Sequence, residues 1–257
     1  MEEKKIERNI QGLRFGKRPP IRDYRTFLFK DYVKDDLPKP PDTFDSTGRV
    51  YENLHMPSPS YLFPMMDNDK IGNCTIVGMA HGDTVWSGLV GNLSIYPVEL
   101  VNKIYFSLTG GDDTGLAMLS VLDYFRKNIV MGEKIYAYMS LNIHNHTHVK
   151  QAISLFGGLF AGFQVQEKCL DDFRIGKPWT PGKLLNAGHA IFITGYDKKE
   201  VKLLTWGNTH RGTWDWWDEC VDEAYVILPP EAINPDFAPG FDFEKLKQSL
   251  VSVAEWD

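Results

Sequence analysis

The chain has 257 residues, of which 43% are hydrophobic and 24% charged, and its formal net charge is −6. This composition is typical of a globular protein with a substantial core, and the negative charge argues against a nucleic-acid-binding protein. The N-terminus MEEKKIERN lacks the apolar core of a signal peptide, and the longest apolar run is too short to span a bilayer.

The chain contains three cysteines, Cys74, Cys169 and Cys220, which cannot all pair with one another. Because no signal peptide is recognisable, we expect reduced thiols and a cytoplasmic protein without a membrane or nucleic-acid partner. An unpaired cysteine is also a candidate reactive thiol.

Residues 1–58 are rich in proline, and the first thirty of them are locally basic. Proline at this density disfavours helix and favours extended or turn geometry. We therefore predict an extended N-terminal arm that wraps the rest of the protein. Its basic part is either a solvated extension or an interaction surface.

Residues 59–140 are predicted to form a helical lobe. A helix follows Cys74 through TIVGMAHGDTVWSGL, and a second one follows Pro97 through VELVNKIYFSL. After the loop TGGDDTG, Thr114 is a candidate cap for a third helix in LAMLSVLDYFRKNIV.

Residues 141–257 are predicted to be rich in β structure. A short helix in HVKQAISLF precedes the strand-like segments GLFAGFQV, HAIFITGY, VKLLTW and EAYVIL, which turn signals separate. Helices first and strands second predict an α+β protein whose helical and sheet parts form separate lobes.

Cys74 follows the polar, glycine-containing stretch NDKIGN and opens the first predicted helix. A helix N-terminus stabilises a thiolate, and its unpaired amides can receive an oxyanion. The amide side chain of Asn68 lies on the preceding loop and is a candidate second donor. The alternative is a buried cysteine that begins a core helix. His189, at the start of the apolar strand HAIFITGY, is the candidate base.

The order of these motifs resembles the papain-like (C1-type) cysteine peptidases. Asn68, Gly72 and Cys74 lie at the offsets of the family motif Q-x-x-x-G-x-C, and GHAIFITGYD resembles the strand that carries the family's histidine. The resemblance covers roughly residues 60–230. It implies a two-lobe α+β fold, with a helical left lobe, an antiparallel β right lobe and the substrate cleft between them. It also implies that Cys74 and His189 are the catalytic pair, that Asn68 replaces the oxyanion-hole glutamine, and that no cofactor is needed.

The sequence departs from the family where an asparagine orients the histidine, because Leu204 stands at that position. Thr205 and Asn208 are the two candidate replacements. Strand alternation disfavours Thr205, whereas Asn208 shares a face with Trp206 only if the strand continues. With these departures from the family pattern, the sequence resembles a divergent branch of the family among bacterial or phage-encoded proteins.

Substrate contacts are also implied by the resemblance. Gly110 and Gly111 stand where the family binds the substrate backbone, although a plain loop between helices is an equal alternative. Two further residues are implied to contact the substrate: Gly188, which directly precedes His189, and Trp206, which lies in the next sequence block that matches the family. The tryptophans of WDWWDEC are interpreted as packing over the site rather than as a stacking platform.

The sequence predicts no metal site. His144, His146 and His148 alternate as zinc ligands on a strand would, but they also precede a predicted helix as turn and cap residues. The stretch DNDKIG imitates the start of a calcium loop without its later ligands. His81 lies two helical turns from Cys74, which is too far for proton transfer.

The sequence therefore predicts a peptidase that hydrolyses peptide or isopeptide bonds of a protein substrate. The alternatives are a papain-fold protein that no longer cuts, such as a structural component of a virion, and a cell-wall peptide amidase. The extended arm is predicted to bind its own cleft, as a built-in propeptide, or a partner.

Overall fold

The computed structural model describes residues 9–35, 37–56, 60–230 and 238–254. The predicted boundary between residues 58 and 59 lies outside the described residues. Within them, the chain forms eight α-helices, one seven-stranded sheet and a small hairpin. The α-helices are α1 (Ser46–Asn53), α2 (Cys74–Leu89), α3 (Val98–Thr109), α4 (Met118–Lys127), α5 (His146–Phe156), α6 (Cys169–Arg174), α7 (Trp214–Cys220) and α8 (Phe243–Ala254).

The strands pair antiparallel throughout. They are β1 (Asn9–Ile10), β2 (Leu13–Arg14), β3 (Phe44–Asp45), β4 (Ala137–Ser140), β5 (Leu159–Gln166), β6 (Leu184–Tyr196), β7 (Glu200–Thr205), β8 (Asn208–Thr213) and β9 (Val221–Leu228). Strands β1 and β2 form a small hairpin. The others form a seven-stranded sheet in the order β4-β9-β5-β6-β7-β8, with β3 added to β6. The α+β prediction is confirmed.

Helix α2 is the central helix of the protein, because apolar and small residues bury nearly its whole circumference. It packs against β6 on one side and against α1, α3 and α4 on others. Gly78 and Gly82 allow this close approach, since a Cβ at either position would lie under 3.0 Å from a phenylalanine ring of the sheet. The helix is thereby held rigidly against the strand that carries His189.

The sheet separates two apolar cores. One face of β6, with Ala190 and Phe192, joins the core of α2, α3 and α4. The other face, with Ile191 and Ile193, joins the core that includes the aromatic residues of α7 and the apolar face of α5. A strand whose two faces are both buried has a nearly continuous run of apolar residues, which explains the composition of HAIFITGY.

The N-terminal arm is not wholly extended, which corrects the prediction for residues 1–58. Asp45 caps α1 by accepting a hydrogen bond from the Gly48 N–H (3.2 Å), and α1 packs on α2. The proline pattern obscured this short helix, because its capping residue lies just beyond the proline-rich stretch. The described helices include none that is long and apolar enough to cross a membrane.

Candidate active site

Cys74 is the first residue of α2, and the chain enters the helix through a turn at Gly72 and Asn73. The Gly72 N–H donates a hydrogen bond to Asp113 Oδ1 (2.9 Å), which ties this turn to the loop ahead of α4. The Asn73 side chain donates to the Met66 carbonyl oxygen (2.8 Å) and fixes the turn from the other side. The turn therefore holds a fully buried thiol at the helix end that favours a thiolate.

His189 lies on β6, and its side chain is fully buried. Its ring stacks on Trp206 with centroids 4.3 Å apart, and it makes edge contacts with Phe15 and Phe163. His189 Nε2 shares a hydrogen bond with Thr205 Oγ1 (2.8 Å). Nδ1, the other ring nitrogen, has no hydrogen-bond partner among the residues that the structure describes. The ring is thus oriented at one nitrogen and unengaged at the other.

The packing of α2 on β6 brings Cys74 beside the strand that carries His189. The main chain of Ala190, the residue after His189, lies close to the Cys74 sulfur and acts to lower the pKa of the thiol. The main chain of Gly16 and Lys17 approaches the same sulfur from the arm and acts on the pKa of the thiol in the same direction. The sulfur is therefore enclosed by the histidine strand on one side and by the arm on the other.

Burial makes both groups electrically neutral in this arrangement. Burial raises the pKa of the Cys74 thiol, although the nearby amides and the Lys17 charge act in the opposite direction. Burial also lowers the pKa of His189 to about 3. At neutral pH the site therefore holds a thiol and an uncharged imidazole. A thiol is a much weaker nucleophile than a thiolate.

Asn68 is buried on the loop before the turn. Its Nδ2 donates a hydrogen bond to Asn73 Oδ1 (3.1 Å), so the side chain contacts the residue that precedes Cys74. An amide nitrogen carries two N–H groups, and this bond uses one of them. The structure thus places Asn68 next to the turn that precedes Cys74, with its amide nitrogen facing that turn.

Of the two candidates to orient His189, the structure brings Thr205 into contact with the ring and leaves Asn208 exposed. Asn208 Oδ1 instead accepts a hydrogen bond from the Thr209 N–H (2.8 Å). The reason is a two-residue hairpin turn, in which Trp206 and Gly207 both have positive φ. The strand ends at Thr205 and does not continue, so the expectation from alternation, that Thr205 points away, does not hold.

The arm crosses the cleft as an extended segment, here called the cleft segment, which comprises residues 15–18. The Lys17 N–H donates to the Gly188 carbonyl oxygen (3.2 Å) on the β-rich side. On the helical side, the Arg18 N–H donates to the Leu116 oxygen (2.9 Å), and the Leu116 N–H donates to the Gly16 oxygen (2.8 Å). Main-chain hydrogen bonds therefore hold the segment from both lobes, as in strand addition.

The cleft segment fits only because glycines line it. A Cβ on Gly16 would lie 1.7 Å from the Gly72 carbonyl oxygen, and one on Gly188 would lie 2.6 Å from the Lys17 oxygen. A Cβ on Gly115 would lie 2.2 Å from the Gly16 oxygen. Gly188, a predicted substrate-binding residue, is thus in direct contact with the segment. Trp206, another, contacts its Phe15 ring edge-on at 5.8 Å.

Gly110 and Gly111 are exposed, and their predicted role in substrate binding stays a prediction. Gly110 ends α3 in the left-handed conformation, with φ of 72°, and both glycines are exposed to solvent. The loop residues that contact the cleft segment are Gly115 and Leu116, a few positions downstream. Gly110 caps α3, and the residues that contact the cleft segment follow this cap in the loop.

The three alternating histidines do not form a strand. His146 begins α5, where it pairs with Asp218 (2.7 Å) and stacks against Trp214, and the His148 ring contacts Phe29 edge-on. No cluster of three or more potential metal ligands occurs among the described residues. Tryptophans 214, 216 and 217 lie in α7 and are buried, which agrees with the packing interpretation.

Sequence reasoning missed the residues that fasten the cleft segment. Arg14 pairs with Asp113, and the Lys17 ammonium pairs with Asp222 and Glu223. The partners lie 99 and about 205 positions away along the chain, so no local pattern joins them. The single glycine inside the basic run RFGKR was the only local signal of a close backbone approach.

Comparison with known proteins finds similarity in structure only. No protein-family model and no curated protein sequence matches the chain. Xylellain, a cysteine protease from Xylella fastidiosa, has a TM-score of 0.65 at 18% identity, over 89% of this chain and 99% of that chain. Procathepsin B S9 from Trypanosoma congolense has a TM-score of 0.52 at 12% identity, over 84% and 86%.

A third similar structure contains the cysteine protease and lectin-like domains of Cwp84, a surface-layer-associated protein of Clostridium difficile. Its TM-score is 0.50 at 13% identity, over 81% of this chain and 57% of that chain. At such identities the likeness establishes the fold and not the activity. The chain has a papain-like fold, as the motifs in the sequence predicted.

Proposed function

We propose that the chain is a cysteine peptidase, which hydrolyses peptide or isopeptide bonds through Cys74 and His189 and which its own arm holds closed. One observation carries the proposal: an extended peptide segment lies over the Cys74 sulfur, bonded to both lobes. A cleft that binds the arm in this way can bind an extended substrate by the same main-chain groups.

The acylation step uses groups on both sides of the cleft. With the arm displaced and the site hydrated, the Cys74 thiol transfers its proton to His189 Nδ1, and the thiolate attacks the substrate carbonyl carbon. The negative charge moves to the carbonyl oxygen, which accepts hydrogen bonds from the Cys74 N–H and the Asn68 side chain. His189 then protonates the leaving amine, the C–N bond breaks, and a thioester to Cys74 remains.

Deacylation repeats these roles with water as the nucleophile. His189 Nδ1 takes a proton from water, the oxygen attacks the thioester carbon, and the C–S bond breaks. The product acid leaves, and the sulfur recovers its proton from the imidazole. Through both steps, Nε2–H donates to Thr205 Oγ1, so that Nδ1 stays free to exchange protons with the sulfur and the substrate.

The arm acts in this proposal as a built-in inhibitor. It buries the thiol and the imidazole, and this burial keeps both neutral. Its displacement lets water reach the pair, which favours the thiolate–imidazolium form. Substrate binding and arm binding are therefore mutually exclusive, because both need the Gly188 and Leu116 main-chain groups.

Thiol labelling of the full-length protein tests the proposal. A thiol-directed epoxide is applied to the unchanged chain and to the full-length Gly16→Ala variant, whose added methyl group has no space against Gly72. We expect Cys74 in the variant to react faster than the buried Cys169 and Cys220. If Cys74 reacts no faster than these two, the proposal fails. A peptide library then measures hydrolysis, with Cys74→Ala and His189→Ala as inactive controls.

The second candidate is a papain-fold protein that binds a partner and does not cut. The unengaged His189 Nδ1 and the neutral state of the pair favour it. It predicts that the Gly16→Ala variant, although open, neither labels selectively at Cys74 nor hydrolyses any peptide.

A further inference from the structure

The Lys17 side chain leaves the cleft segment and enters a pocket of the β-rich lobe, where only 1% of it is exposed. Its ammonium lies 2.9 Å from Asp222 Oδ1, 3.0 Å from Asp222 Oδ2 and 3.0 Å from Glu223 Oε1. A buried ammonium is costly unless carboxylates of this kind surround it. The pocket therefore provides a site for one positive charge, here called the acidic pocket.

The walls of the acidic pocket match an unbranched aliphatic chain. A Cβ at position 162 would lie 1.9 Å from Lys17 Cε and 2.6 Å from the Met118 sulfur, so only glycine leaves room there. The methylene groups of Lys17 thus pack against Gly162 before the ammonium reaches the acids. Long cationic side chains bind in this way, with an apolar stem and a charged end.

The acidic end is fixed within the sheet. Glu223 belongs to β9 and lies opposite Gly162 of β5, and the Tyr225 hydroxyl donates a hydrogen bond to Glu223 Oε2 (2.9 Å). That bond leaves Oε1 directed to the ammonium. The carboxylates are therefore positioned by the fold, and they remain when the arm leaves.

We propose that the acidic pocket selects a lysine or arginine side chain of the substrate, and that Lys17 imitates this side chain in the closed state. The proposal rests on the peptidase function proposed above. The backbone of residues 16–18 forms main-chain hydrogen bonds with both lobes, as the backbone of an extended substrate would. A substrate bound in this way therefore has one residue at the position of Lys17. Any side chain at that position of the substrate enters the acidic pocket.

The first experiment measures binding without hydrolysis. The protein is the full-length Gly16→Ala chain with Cys74→Ser, and the probe is the peptide QGLRFGKRPP, which copies residues 11–20. A second peptide carries norleucine, which lacks the charge, in place of the lysine. Calorimetry is expected to show that the lysine peptide binds roughly tenfold more tightly or better, because charged hydrogen bonds are lost with norleucine. Glu223→Gln and Asp222→Asn should reduce this ratio.

The second experiment measures hydrolysis by the full-length Gly16→Ala chain of peptides that carry lysine, arginine, norleucine or glutamate at one varied position. The full-length Lys17→Glu chain, in which the arm is repelled by the acids, serves as a second open form. Lys198→Glu is the matched control, since it makes the same substitution at a side chain that is 78% exposed and does not belong to the acidic pocket. We expect higher kcat/KM for lysine and arginine, and loss of that preference in Glu223→Gln.

The outcomes separate the two proposals. Cleavage of peptides without a basic preference overturns the acidic pocket as a selector while the peptidase function stands. Absence of cleavage with lysine-selective binding overturns the peptidase function but leaves the pocket's recognition of the cation. Equal binding of the lysine and norleucine peptides overturns the pocket whatever the kinetics show.

Discussion

Gly16 and Gly72 touch backbone to backbone, and a Cβ on Gly16 would lie 1.7 Å from the Gly72 carbonyl oxygen. Gly72 belongs to the turn that presents Cys74, and Gly16 belongs to the cleft segment that covers the thiol. The closed state therefore depends on the absence of one methyl group. Because the obstacle is backbone and not a flexible side chain, the contact cannot adjust to a larger residue.

The first prediction concerns Gly16→Ala in the full-length chain. We expect the arm to leave the cleft and the rate of Cys74 labelling to rise about tenfold or more, since a clash of this size destabilises docking by well over 1 kcal/mol. Labelling followed by mass mapping measures the rate. Tyr24→Ala is the control, because Tyr24 lies in the same arm and is 99% exposed. Equal rates in the two variants would show that the arm does not guard the thiol.

The second prediction concerns Asp113, which accepts hydrogen bonds from the Tyr105 hydroxyl (2.6 Å), the Gly72 N–H (2.9 Å) and the Arg14 guanidinium. Partial burial opposes ionisation, but these bonds outweigh it and hold the pKa of Asp113 below its ordinary value. The carboxylate therefore stabilises the closed form above about pH 4, and this contribution is lost as the pH falls through the lowered pKa.

We expect the arm to be released as the pH falls from about 4 through the lowered pKa of Asp113, and Asp113→Asn to release it partly at neutral pH, because Arg14 loses its ionic partner. Susceptibility of the arm to limited proteolysis, measured against pH, checks both statements. Asp112→Asn is the matched control on the exposed neighbouring residue. Identical pH profiles for the Asp113→Asn variant and the unchanged chain would contradict the assignment.

The elements that carry Cys74 and His189 could be predicted from the sequence because their signals are local. The apolar run after Cys74 predicts α2, and the segment HAIFITGY predicts most of β6. Helix α7 was not predicted, although Thr213 caps it by accepting a hydrogen bond from the Trp216 N–H (3.1 Å). The tryptophans of WDWWDEC were interpreted only as packing residues, and a single capping residue is a weak signal for a helix of seven residues.

In the candidate site, only the residues that a sequence motif identifies directly could be predicted. Cys74 and His189 follow from the order of motifs, but the choice of Thr205 depends on a turn in which Trp206 has φ of 44°. Left-handed backbone is unusual for tryptophan, so the hairpin was not expected there. The acidic pocket joins Lys17 to Glu223 across the whole chain, and a pairing between such distant residues leaves no pattern in a single sequence.

The third prediction concerns the titration of His189. Burial lowers its pKa to about 3 from the ordinary 6.5, so the closed chain keeps the ring neutral between these values. The unfolded chain binds a proton in that window, and stability conferred by the neutral ring is lost as the pH falls from 6.5 towards 3. In the open form, hydration and a thiolate partner raise the pKa.

NMR of the ring protons tests this prediction. In the unchanged chain the His189 signal should not shift between pH 8 and about 5, whereas in Gly16→Ala it should titrate near or above the ordinary histidine value of about 6.5. The His189 signal must be distinguished from those of His81 and His210, because burial also lowers their pKa values to about 4. The signal that is missing from the His189→Gln spectrum belongs to His189. The same titration in both proteins would exclude control of the pair by the arm.

The last prediction concerns Thr205, a positioning residue whose hydroxyl meets His189 Nε2 at 2.8 Å. Thr205→Val keeps the shape of the side chain and removes this partner. In the open Gly16→Ala background we expect kcat to fall about tenfold or more with little change in KM, because part of the acid–base contribution of the imidazole is lost. Thr205→Ser should restore the rate, since it returns the hydroxyl. Thr209→Val, the same substitution at an exposed position of β8, is the control. A purely structural role would lower stability equally in the valine and serine variants and leave the pH profile of kcat unmoved, and that pattern would remove Thr205 from the mechanism.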